Sequence, residues 1–243
     1  MEKNFEDILA GELERHKIKY SKKEISDLRF LYELLLEYNK KINLTAITEP
    51  HQAARKHFAD SLLPLKSELF PPKTKCLDIG TGAGFPGLPL AIFLPECDFL
   101  LLDSIAKKLS FASDAIKKLG LKNVKIKVSR AENLIREENE TRESFDVVFS
   151  RAVASLPVLI ELSLPFVKTG GHFIAFKSKE AENELRDAAF AIKTLGGEFE
   201  TIIGDHERNL IIIKKKNPTP EKYPRRNGVP EKRPLRETKN DAS

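Results

Sequence analysis

Apolar positions recur at helical spacing through the first quarter of the chain. Phe5, Ile8, Leu9 and Leu13 predict one helix, and Ile25, Leu28, Leu31, Leu35 and Ile42 predict a second. Ser21-Lys22-Lys23-Glu24 opens the second as a capping box, in which Ser and Glu satisfy each other's backbone donors. A third helix is predicted from near Thr48 to about Leu63, with Pro50 in its first turn. From Lys73 the period shortens. Cys76 to Ile79, Phe99 to Leu102, Val124 to Val128, Phe145 to Phe149 and His172 to Phe176 read as strands. Between them, Ile105, Leu109, Ala112, Ile116 and Leu119 form a helical stripe, with Ser104 as its expected cap and Gly120 as its stop. Leu185, Ala188, Ile192 and Leu195 form another, closed by Gly196-Gly197. Glu198 to Ile203 and Asn209 to Ile213 complete the set as a hairpin over Gly204 to Arg208. Seven strands alternating with helices predict an α/β fold, a mostly parallel sheet covered on both faces. The division expected is an N-terminal helical extension (1–70), an α/β domain (71–216) and a C-terminal tail (217–243).

Charge sharpens that last boundary. The 243 residues carry 41 basic and 36 acidic side chains, a net +5. Residues 214–243 hold ten basic against four acidic ones, so the tail is +6 and the body −1. Five of the 14 prolines lie there, and apolar periodicity ends. This is an extended basic strap suited to a polyanion. No apolar run reaches the ~20 residues of a membrane span. The N-terminus, with Glu2, Lys3, Glu6 and Asp7, has no signal core. Two cysteines form no disulfide framework or metal motif. A cytoplasmic protein with no membrane partner, no metal and no obligate protein partner is expected.

The strongest chemical signal is Leu77-Asp78-Ile79-Gly80-Thr81-Gly82-Ala83-Gly84-Phe85-Pro86-Gly87, glycines between a strand and a helix. Such turns let a backbone approach a ligand at the carboxyl end of a sheet. Two cofactors compete. Gly82 to Gly87 matches GxGxxG, and Asp103 follows about 20 residues later, as in dinucleotide sites. Asp78, however, stands just before the glycines, where it repels pyrophosphate and suits S-adenosylmethionine, which is cationic and has no phosphate. Asp103 serves ribose hydroxyls in either case.

Later strand ends add Ser129-Arg130-Ala131-Glu132, where an adenine edge is read, and Ser150-Arg151-Ala152-Val153-Ala154-Ser155-Leu156, which faces the transferred methyl. Lys177 ends the fifth strand. No Asn-Pro-Pro-aromatic run, tip cysteine or acid–lysine pairing is present for attack through an exocyclic amine, a pyrimidine carbon or a ribose hydroxyl. The acceptor left is one that is already nucleophilic, such as guanine N7. Catalysis is then alignment, with Arg151 or Lys177 orienting the base. In the tail, Lys222, Arg225 and Arg226 surround Tyr223, a stacking candidate, and predict RNA binding. Loss of the tail after Lys216 is expected to spare cofactor binding and weaken RNA binding.

These stretches together resemble one family, the bacterial 16S ribosomal RNA guanine-N7 methyltransferases (RsmG, or glucose-inhibited division protein B). The likeness includes Asn43 to Ile47, His57 to Leu62, Asp78 to Pro89, Leu101 to Ser104 with Lys107-Lys108, Arg130 to Glu132, Ser150 to Ala152, Lys222 to Arg226 and Gly228 to Pro230. It implies a class I S-adenosylmethionine-dependent methyltransferase, Rossmann-like, with an N-terminal helical extension. It implies 16S ribosomal RNA, or the small subunit, as partner. It also implies cofactor contacts from Gly80, Phe85, Ala131, Glu132 and Arg151, which moves Arg151 toward the methionine end. Ser178 stands where the family often has glycine. An oxidoreductase and a non-catalytic RNA-binding protein on the same scaffold are the rival readings.

Overall fold

The computed structural model describes residues 4–151, 154–204 and 208–237. Glu2, Lys3, Ala152, Val153, the hairpin residues 205–207 and the tail from 238 onward lie outside the described residues. The strands are β1 (Lys75–Ile79), β2 (Asp98–Asp103), β3 (Val124–Val128), β4 (Phe145–Arg151), β5 (Val167–Lys177), β6 (Gly197–Gly204) and β7 (Asn209–Lys215). They form one sheet in the order β3-β2-β1-β4-β5-β7-β6. β1–β4, β2–β3 and β4–β5 are parallel, whereas β5–β7 and β6–β7 are antiparallel. The described residues fall into two compact units, one of residues up to 74 with 80–128, the other of residues 75–79 with those from 129 onward.

The first unit holds α1 (Phe5–Arg15), α2 (Lys22–Asn39) and a mixed helical run. The capping box forms at Ser21 and Glu24. The predicted third helix is composite: α3 (Pro50–Ala53), a π-helical turn (Ala54–Ala59), α4 (Asp60–Leu62) and a 3-10 turn (Leu63–Lys66). Its cap is Glu49, whose carboxylate accepts from His51 and Gln52 N–H. Phe58 on the π turn joins Phe5 and Tyr32, which stack at 4.4 Å, and reaches Phe85 edge-on at 5.3 Å. The helical extension is thereby packed onto the glycine loop through its aromatic residues. α5 (Gly87–Phe93), β2, α6 (Ala106–Leu119) and β3 complete the unit. Gly120 ends α6 in the left-handed conformation, as expected. Ser104 does not cap α6; the Asp103 carboxylate accepts from Ile105 N–H instead, at 2.8 Å.

The second unit contains β1, α7 (Ala131–Glu137), β4, α8 (Leu156–Ser163), β5, α9 (Ala181–Thr194), β6, β7 and α10 (Val229–Lys232). β5 starts five residues before its predicted edge and runs through Gly170-Gly171. The pairing shifts register between Phe145 and Val147 there, and a Cβ on Gly171 would meet the Asp146 carbonyl at 2.6 Å. A glycine pair reads as a turn in sequence but serves as a close-approach bulge here. Lys215, fully buried at the end of β7, donates to Glu143, Thr219 Oγ1 and the Leu164 and Val167 carbonyls. Burial pushes its ammonium below the usual lysine range, against the pull of Glu143. No described helix is long and apolar enough to cross a membrane.

Candidate active site

In the first unit the glycine loop leaves β1 and is tied to the end of β2. Gly80 and Thr81 N–H both donate to the Leu102 carbonyl, at 2.8 and 3.1 Å. Gly82 N–H donates to Asp103 Oδ2 at 2.8 Å. Gly84 and Phe85 N–H donate to the Thr81 carbonyl. Gly80, Gly82 and Gly84 all have positive φ, which glycine adopts without steric cost. A Cβ on Gly82 would meet nothing within 4 Å, so open space lies beside this turn.

That bonding separates the two cofactors. A pyrophosphate loop directs its amides outward as an anion nest. Here the amides of Gly80, Thr81, Gly82, Gly84 and Phe85 are all satisfied within the chain. His57 on the π turn lies 5.4 Å from the Phe85 ring and 2.8 Å from Thr45 Oγ1. Asn39 fixes Thr45 by accepting from its N–H and donating to its carbonyl. The Asn43–Ile47 and His57–Leu62 runs thus meet beside the loop.

In the second unit, Asp78 is fully buried on β1, and its neighbour Ile79 accepts from Ser150 Oγ at 3.0 Å. Ala131 and Glu132 open α7 and are both buried. A carboxylate at that end is favoured by the helix dipole. Glu132 Oε1 receives a long contact, 3.4 Å, from Gly228 N–H. Arg151 ends β4, paired in register with Phe176 of β5, and is partly exposed. Within this unit Asp78 and Glu132 are buried carboxylates, which suit a cationic cofactor and not a polyphosphate.

The family model described as rRNA small subunit methyltransferase G (GidB) matches residues 24–212. The chain belongs to this family. The chain is 45% identical over 221 residues to the ribosomal RNA small subunit methyltransferase G of Lachnoclostridium phytofermentans, covering 88% of this chain and 91% of that one. It is 42% identical over 238 residues to that of Staphylococcus carnosus, covering 93% and 97%. Among solved structures it is similar to a SAM-dependent methyltransferase from Aquifex aeolicus, with TM-score 0.50, 18% identity, and coverage of 73% and 96%. The pre-rRNA processing protein fibrillarin of Methanococcus jannaschii matches with TM-score 0.52 at 15% identity, covering 65% and 74%. These two likenesses concern the fold. Membership in the GidB family carries the reaction: ribosomal RNA methylation with S-adenosylmethionine as methyl donor.

Three sequence assignments change with the geometry. The Lys177 ammonium is engaged within the chain. It is 8% exposed and donates to the Ala154 carbonyl at 2.8 Å and to Glu184 Oε2 at 2.7 Å. Tyr223 is 7% exposed, so its ring has no open face for a base, and Lys222 Nζ sits 5.3 Å from its centroid. Arg225 grips Glu161, a fully buried carboxylate on α8: its N–H and Nε donate to Oε1 at 2.8 Å, and its terminal nitrogen donates to Oε2 at 2.6 Å. That pairing raises the Arg225 pKa further above its ordinary value. Lys222 and Arg226 remain exposed.

The tail is therefore docked rather than loose. Arg142 donates to the Tyr223 and Thr219 carbonyls, and Arg136 to the Pro224 carbonyl. Glu161, Arg142 and Glu184 escaped the sequence reading because they sit in helices and turns as ordinary charges. Only Glu161 left a trace, a lone acid inside the apolar run Leu156 to Phe166.

Proposed function

We propose that this family member methylates N7 of a guanine in 16S ribosomal RNA by direct in-line transfer. The observation that carries the choice of acceptor is the chemistry at the tips of β4 and β5. Arg151 is permanently charged, and Lys177 holds a carbonyl and a carboxylate. Neither is placed as a general base. Guanine N7 needs none, because its lone pair is free at neutral pH. Bound S-adenosylmethionine supplies a methyl group activated by its sulfonium. The N7 lone pair forms the new carbon–nitrogen bond, the sulfur keeps the electrons of the broken one, and the purine gains the positive charge.

The residues assigned to the cofactor are Asp78, Gly80, Gly82, Phe85, Asp103, Ala131, Glu132 and Arg151. Asp103 faces the ribose, Glu132 the adenosine moiety, and Asp78 and Arg151 the methionine end. RNA contacts are assigned to Lys222 and Arg226, with Tyr223 and Arg225 as the anchors that present them. A cytoplasmic place of work follows from the substrate.

The test is methylation of small-subunit RNA, free and assembled, from cells lacking the protein, with tritiated methyl donor. We expect label on a single N7-methylguanosine after nuclease digestion. Label on another base, or on protein, would overturn the acceptor assignment. NADH binding without S-adenosylmethionine binding would revive the oxidoreductase.

A further inference from the structure

We infer that Glu184 is a positioning residue for methyl transfer, acting with Lys177 to hold the backbone from Ala154 to Leu156. The inference rests on the reading that this segment faces the acceptor base. One carboxylate oxygen, Glu184 Oε2, accepts from both Leu156 N–H at 2.9 Å and Lys177 Nζ at 2.7 Å. Lys177 Nζ also donates to the Ala154 carbonyl at 2.8 Å. The backbone is thus gripped on either side of Ser155, once through a carbonyl and once through an amide.

Three elements converge in this clamp: the tip of β5, the first turn of α9 and the start of α8. Local capping does not explain it. Ser155 is the N-cap of α8, yet its side chain makes no capping bond. The first helical residue, Leu156, would keep an unsatisfied donor without a partner. Glu184 supplies that partner from 28 residues away. It is itself favoured in the first turn of α9 by the helix dipole. Here the ion pair grips two backbone groups, at positions three and five beyond Arg151.

Alignment chemistry depends on such fixing, since a displacement of about 1 Å in a reacting group costs on the order of 100-fold in rate. The clamp's backbone bonds fall on Ala154 and Leu156, three and five residues past the cofactor-assigned Arg151. Its loss should therefore lower turnover and leave S-adenosylmethionine affinity alone.

The experiment compares E184A, E184Q, K177M and the E184A/K177M double variant, with kcat expressed per mole of protein that binds S-adenosylmethionine. We expect E184A and K177M each to lower kcat by about tenfold, with cofactor Kd within about twofold of wild type. E184Q keeps an acceptor for Leu156 and should recover part of the rate. The double variant should be no slower than the slower single one, because one device is removed either way. Unchanged kcat in folded E184A and K177M, or equal loss of kcat and cofactor affinity, would overturn the inference. Should E184A not fold, E184Q against K177M carries the same comparison. R151A tests the underlying reading separately. Full activity in R151A removes the reading that the segment faces the reaction; an impaired R151A beside fully active clamp variants removes the clamp alone.

Discussion

Replacing Arg225 with alanine is expected to destabilise the protein by about 3 kcal/mol, because a buried carboxylate loses its counter-charge. Glu161 is fully buried on α8, and Arg225 donates four hydrogen bonds to it from side chain and backbone. Arg225 keeps about a quarter of its exposure, which puts the loss at the low end of the range for broken buried pairs. Urea unfolding of R225A against wild type checks the value. The double variant E161Q/R225A should recover part of the loss, since no uncompensated charge is then left in the core. Truncation after Lys216 removes the same pair. It also removes the carbonyls that Arg142 and Arg136 engage and the contact from Gly228 to Glu132. The truncated chain should unfold at lower urea and bind S-adenosylmethionine more weakly. This reverses the expectation from sequence that the tail is dispensable for the cofactor. Wild-type cofactor affinity in a truncated, stable chain would show that the docked tail has no part in that site.

Neutralising Asp78 is expected to have the second large effect. D78N should weaken S-adenosylmethionine binding by on the order of 10- to 100-fold, from loss of a charge-assisted contact worth about 1.5–3 kcal/mol. The side chain is fully buried, so solvent does little to screen its charge. Titration with S-adenosylhomocysteine separates two arrangements. That product keeps the amino group and lacks the sulfonium. Equal weakening for both ligands places Asp78 at the amino group; greater weakening for S-adenosylmethionine places it in reach of the sulfonium. Unchanged affinity for both would remove Asp78 from the site.

The glycine loop and its carboxylates were legible because they are local. A strand, glycines at positive φ and an acid at the next strand end are fixed by neighbours in sequence. The capping box at Ser21 and the left-handed stop at Gly120 were legible for the same reason. The composite helix from Pro50 to Lys66 was not, since a π turn keeps helical periodicity nearly intact over six residues. Ser104 misled because a serine before a helical stripe reads as its cap. The Asp103 carboxylate, already bound to Gly82, took that amide instead.

By itself the sequence determined the alternation of strands and helices, the glycine turn, the family and the acids that favour a cationic cofactor. All of these follow from spacing and residue type along a short stretch of chain. The tertiary structure alone decided what the charges do. Arg225, a tail cation that read as an RNA contact, became an anchor, because Glu161 lies buried 64 residues earlier in the chain. Lys177 became a clamp, because Glu184 and the Ala154 carbonyl reach it before any ligand does. A charge acts through its partner and its burial, and both are set by residues far away in sequence.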